Sequence, residues 1–186
     1  MNSPESEPSF WMGGRLATEL IEITHDPAKI DDGFWAITTT FDGKFTGAKF
    51  NKVEKTDWSA PYKPLESAKW NSSHNEIEYC ELVENFREEI AKGNIYQVNA
   101  CRIIETETAE SISGMVAGFL ASNPAPYVGY LKLPDLEIAS ASPETFLVRN
   151  GFRIKSAPIK GTRPLGITGS FPEKDESENI MIVDLM

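Results

Sequence analysis

Two side chains able to do chemistry stand close together late in the chain. Ser142-Pro143-Glu144 supplies a carboxyl group, and Pro158-Ile159-Lys160-Gly161-Thr162 supplies an amine sixteen positions later. A lysine that has lost its proton is a nucleophile, and a carboxyl group that keeps one is a general acid. The backbone N–H groups that follow a glycine can seat an anion. The two segments lie near the ends of two predicted strands, 145–149 and 152–156, joined by Asn150-Gly151, a dipeptide that favours tight reversal. By residue type alone, Lys160 also reads as a surface lysine in a turn, and Glu144 as a residue that steadies one.

Charge is unevenly spread around this segment. The 186 residues carry a formal net charge of −10, which argues against a nucleic-acid partner, since phosphate binding needs a basic face. Yet from Thr145 to Pro172 there is no Asp or Glu, while Arg149, Arg153, Lys155, Lys160 and Arg163 all fall there. A basic hairpin in an acidic protein suits a small anionic ligand. A strand edge guarded by charge would look the same.

The elements that must position these groups follow from periodicity. Residues 34–41 and 44–53 read as strands around Asp42-Gly43. Residues 76–92 are helical, with Tyr79, Val83, Phe86 and Ile90 along one core-facing stripe, Asn75 as cap and Gly93 as stop. Residues 95–107 alternate as a strand, which puts Gln97 and Asn99 on one face, either as solvated amides or as pocket residues. A helix over 108–122 and strands at 127–132, 137–141, 145–149 and 152–156 complete an antiparallel pattern. The class is therefore α+β. A last helix begins at Glu173 and reaches Met186 without a stop signal, so the pattern is expected to continue beyond it.

Residues 1–8, acidic and rich in Pro and Ser, read as a disordered tail and not as a targeting peptide. Residues 9–75 form a variable region containing the first hairpin, and 76–186 a second, incomplete domain. Cys80 and Cys101 make neither a disulfide framework nor a metal spacing, which fits a reduced cytoplasmic setting. No stretch is long and apolar enough to span a membrane as a helix.

Three motifs in order resemble one family. Gly93-Asn94-Ile95-Tyr96-Gln97-Val98-Asn99 is similar to a signature segment of chorismate-utilising enzymes. Ser142-Pro143-Glu144 with Pro158 to Pro164 is similar to that family's central motif. Residues 178–186 resemble its metal-binding helix. The resemblance covers roughly Tyr79 to Met186, although the stretch from Arg163 to Glu178 is shorter than is usual in the family. It implies a chorismate-binding fold, with antiparallel sheets packed face to face and helices outside. It implies Mg²⁺ with Glu178 as one ligand, and a substrate carboxylate held by Gly161 and Thr162. Gln97 and Asn99 would line the pocket, and a glutamine amidotransferase would supply ammonia.

Two positions select among sibling reactions. Family members that make anthranilate usually carry Ala where this chain has Lys160, and members that add water carry Lys where it has Gln97. Both choices imply the aminodeoxychorismate branch, in which chorismate and ammonia give 4-amino-4-deoxychorismate for para-aminobenzoate and folate. Lys160 would be the nucleophile and Glu144 the acid. Burial or the anionic substrate would have to keep the proton on Glu144. The anthranilate reaction and a non-catalytic fragment are the alternatives.

Overall fold

The computed structural model describes residues 7–66, 69–122, 124–159, 169 and 173–185. In chain order the elements are β1 (Ser9–Met12), β2 (Arg15–Thr24), a 3-10 turn (Pro27–Lys29), β3 (Phe34–Thr39), β4 (Phe45–Lys55), β5 (Asn71–Ser72), α1 (Glu76–Ala91), β6 (Ile104–Glu105), α2 (Ser113–Ser122), β7 (Tyr127–Leu133), β8 (Leu136–Ser142), β9 (Thr145–Asn150), β10 (Arg153–Ala157) and α3 (Glu173–Leu185). The chain divides into two compact units, one built from residues 1–63 and 111–186, the other from residues 64–110.

The larger unit holds a six-stranded antiparallel sheet in the order β3-β4-β2-β1-β7-β8. A Gly13-Gly14 turn, with φ of +56° and +75°, joins β1 to β2. Positive φ at both central residues is what a two-residue turn needs to follow the strand twist. β1 and β2 were not anticipated. The alternation along β2 is reset by a bulge between Leu20 and Glu22, just after Glu19, whose φ is +59°.

Alternate residues of each strand feed two apolar clusters, as the two-residue side-chain period requires. Phe10, Ala17, Leu131 and Ile138 belong to one, with Ala36, Ala48 and Phe50. Their neighbours Trp11, Leu16, Tyr130 and Ala139 belong to the other, which α2 joins through Val116 and Phe119. Val116 is fully buried, worth about 1.5–3 kcal/mol. Trp58 lies edge-on to Trp11 at 5.4 Å and to Tyr130 at 5.1 Å. The Trp11 indole donates to the Thr56 carbonyl at 2.9 Å.

Glu137 of β8 ties α2 to the sheet. Its carboxylate accepts from the Ser111 hydroxyl at 2.5 Å, the Ile112 N–H at 3.2 Å and the Tyr130 phenol. The expected helix over 108–122 is shortened to 113–122, because residues 111 and 112 turn their polar groups to this carboxylate. Gly114 follows in the first turn of α2. A Cβ there would meet Lys63 at 2.6 Å from its Cβ, 2.8 Å from its N and 2.9 Å from its O.

In the smaller unit α1 starts at an Asn75–Glu78 capping box and stops at Gly93, φ +75°, both as expected. Its apolar stripe, however, buries little. Tyr79, Val83 and Phe86 are half-buried, Ile90 is exposed, and no residue of the helix is fully buried. The strand expected over 95–107 shrinks to Ile104–Glu105, paired with Asn71–Ser72. Alternation marked a strand, but only two residues of backbone lie alongside to pair with it. The described residues contain one six-stranded sheet and two two-stranded ribbons, β9–β10 and β5–β6.

Two outcomes are expected. Gly114→Ala should lower stability by about 1–3 kcal/mol despite alanine's better helix propensity, as measured by chemical denaturation. A stabilised variant would show that α2 does not press on Lys63. Glu137→Gln should cost about 1–3 kcal/mol near neutral pH. Partial burial pushes the Glu137 carboxyl up, but hydrogen bonds from Ser111, Tyr130 and Ile112, with Lys132 nearby, hold it below its ordinary value. A lowered carboxyl stabilises the fold above its unfolded-state pKa and loses that contribution as pH falls through the folded one. The gap between wild type and Glu137→Gln should therefore narrow in acid; a gap constant to pH 3 would refute the assignment.

Candidate active site

β8 runs into Ser142, and β9 starts at Thr145, so Pro143 and Glu144 are the whole connection. The Ser142 hydroxyl donates to the Glu144 carbonyl at 3.0 Å and holds the corner. The Glu144 side chain is half-buried, and its carboxylate has no hydrogen-bond or ion-pair partner among the described residues. A carboxyl group placed this way is free to meet a ligand.

β9 and β10 pair antiparallel about Gly151-Phe152, with Asn150 opposite Arg153 and Gly151 at φ +59°. The expected hairpin is therefore present. Its register shifts by one residue between Lys155 and Ala157, where the Ser156 hydroxyl donates to the Phe146 carbonyl at 2.7 Å. Beyond this bulge Ala157 pairs with Thr145. The next residue on each strand is Pro158 on one side and Glu144 on the other. The ladder thus delivers Glu144 and the approach to Lys160 to the same end of the hairpin. Lys160, Gly161 and Thr162 themselves lie outside the described residues.

The basic residues of this hairpin are on its surface. Arg149, Arg153 and Lys155 are all exposed, and the Arg149 Nε–H donates to the Gly151 carbonyl at 3.0 Å. Phe146, Phe152 and Ile154 are exposed as well. Glu178 is half-buried on α3, as are Met181 and Ile182 one turn further on. No group of three His, Cys, Asp or Glu able to hold a metal ion occurs among the described residues.

Gln97 and Asn99 do not share a strand face. Both lie in irregular backbone of the smaller unit, where Gln97 is half-buried and Asn99 exposed. Sequence reasoning passed over Glu137, whose ring of donors has no motif. The signal for it was a lone acid in the strand 136–141, whose other residues are apolar except Ser140.

Residues 44–186 match the chorismate binding enzyme family. The chain belongs to that family. It is 35% identical over 125 residues to the aminodeoxychorismate synthase of Streptomyces griseus, covering 61% of this chain and 17% of that protein. It is 27% identical over 179 residues to aminodeoxychorismate synthase component 1 of Bacillus subtilis, covering 83% and 37%. An anthranilate synthase component 1 of Haloarcula marismortui is 31% identical over 141 residues, covering 69% and 29%. No solved structure matches. The chain thus spans well under half the length of these relatives. The match to the family begins at Lys44, in the turn before β4, and takes in the Glu144 corner, the hairpin and α3. No helix of the described residues is long and apolar enough to cross a membrane.

Proposed function

We propose that this chain carries the nucleophile and the acid of an enzyme that aminates chorismate to 4-amino-4-deoxychorismate, as a component I subunit. The observation that supports the reading is the β9–β10 register, whose last pair, Thr145 with Ala157, stands one residue after Glu144 and three residues before Lys160 in sequence. The names of the relatives support the amination, and a Lys at position 160 with a neutral amide at 97 favours this branch.

Chorismate has two carboxylates and an allylic hydroxyl, and hydroxide is a poor leaving group. Lys160, as the free amine, attacks ring carbon C2 while both ring double bonds shift and the C4 hydroxyl departs. Glu144 gives that oxygen its proton, so water leaves. Ammonia then adds at C4 and the C2–N bond breaks, which returns the lysine. The basic hairpin favours the dianionic substrate, and the Gly161 and Thr162 N–H groups, with the Thr162 hydroxyl, hold one carboxylate. The half-buried Glu178 suits Mg²⁺, which takes one or two carboxylates and keeps its waters. Bound there, the ion would neutralise a substrate carboxylate. The ammonia would come from a glutamine amidotransferase partner. The anthranilate reaction is the second reading, since an anthranilate synthase component is among the relatives.

Ammonia-dependent turnover of chorismate by the protein that carries these residues should yield the para-aminated product. Lys160→Ala and Glu144→Gln should each lower the rate by roughly 10²-fold or more. Mass spectrometry of wild type should find a substrate adduct on Lys160. An unchanged rate in Lys160→Ala would remove the nucleophile, and an ortho-aminated product would move the protein to the anthranilate branch. For residues 1–186 alone, calorimetry with chorismate and Mg²⁺ separates a catalytic site from a non-catalytic domain, the latter giving no heat of binding.

A further inference from the structure

A cavity of about 620 Å³ lies wholly within the smaller unit, between the first turns of α1 and the residues that flank the β5–β6 ribbon. His74, Asn75, Glu76, Tyr79, Cys80 and Arg102 line it. Its polar groups are braced before any ligand arrives. The Arg102 Nε–H donates to the Ser72 hydroxyl at 2.9 Å, and that hydroxyl donates to the His74 carbonyl at 2.6 Å. The Ser73 hydroxyl accepts from the Ile103 N–H at 3.0 Å and lies 2.9 Å from His74 Nδ1. Ile103 takes one lone pair of the Ser73 hydroxyl, and its proton and second lone pair are both able to meet Nδ1, so the contact suits either tautomer of His74. Tyr79 meets the imidazole edge-on at 6.5 Å, and its hydroxyl is used on the Ala100 carbonyl.

What is left over is a set of donors. Arg102 makes no bond to a carboxylate among the described residues, and its two terminal amino groups are unused. A guanidinium anchored at Nε presents its other edge as a fixed fork, the geometry that pairs with a carboxylate or phosphate. Glu76 is the acidic group of the lining and bears on the charge the cavity accepts.

We infer that the cavity between α1 and the β5–β6 ribbon is a small-oxyanion site, with Arg102 as its main donor, His74 as a second donor in the tautomer that carries its hydrogen on Nε2, and Glu76 limiting the charge it takes. A singly charged carboxylate fits this balance better than a phosphate dianion. The inference does not rest on Glu144 or Lys160.

Amide and imidazole NMR shifts of the 186-residue chain, followed during titration with acetate and separately with inorganic phosphate, test it. Acetate should saturate with a dissociation constant on the order of millimolar, moving His74 and the amides of Ser72, Ser73 and Ile103 together, and phosphate should bind more weakly. Arg102→Gln should weaken binding about tenfold or more, and Glu76→Gln should tighten it a few-fold, while Arg153→Gln on the exposed hairpin should change nothing. Amide spectra report whether each variant is folded. Shifts that fail to saturate, or that survive Arg102→Gln in a folded protein, overturn the site. Binding lost with Arg153→Gln instead would also overturn it by assigning the anion to the hairpin.

Discussion

The larger unit depends on one joint, where the Glu137 carboxylate gathers Ser111, Ile112 and Tyr130. Three elements meet there. Ser111 and Ile112 lead into α2, Tyr130 is on β7, and Glu137 is on β8. Local preference alone holds none of them against the others. A helix of ten residues is too short to be stable unaided in water, so α2 needs both its apolar face on Trp11 and Tyr130 and its first turn fixed. Gly114 allows that turn to press against Lys63, where any side chain would collide.

From this joint the geometry runs outward to the chemistry. β8 is fixed at Glu137 and ends five residues later at Ser142, whose hydroxyl closes the corner at Glu144. β9 and β10 leave from that corner as an isolated ribbon. A two-stranded ribbon is marginal in water by itself, and this one exposes Phe146, Phe152 and Ile154. Its anchoring at the base therefore matters more than its tip. The base is where the register shifts opposite Ser156 and Ala157 pairs with Thr145, the residue after Glu144. A slip of one residue would turn every side chain of β10 to the other face. The Ser156 hydroxyl on the Phe146 carbonyl opposes such a slip.

Local signals were legible and distant ones were not. The Asn75 cap, the Gly93 stop and the Asn150-Gly151 reversal each follow from a backbone requirement that few residues meet, so the sequence states them openly. β1 and β2 escaped notice because Glu19 and the bulge after it shift the alternation halfway along β2. The strand expected over 95–107 fails for the converse reason. Its alternation is clear, but a strand needs a partner, and only Asn71 and Ser72 provide one. The stripe on α1 was read as facing a core, yet the unit of residues 64–110 has too little apolar mass of its own to bury it. Glu144 was visible as a residue type, whereas the pairing of Thr145 with Ala157 beside it depends on register, which periodicity does not give.

The same contrast separates the two amides from Glu144. Gln97 and Asn99 were grouped by strand alternation, and with that strand absent they keep only their place in a family motif. Glu144 has both a motif and a position, half-buried at a braced corner with its carboxylate uncommitted among the described residues. An acid bonded like Glu137 could not serve as a proton donor, because its three donors hold the charged form. The two carboxylates, seven positions apart on one strand and its exit, have divided the work. One is paired so that it stays charged and holds the fold. The other has no partner among the described residues.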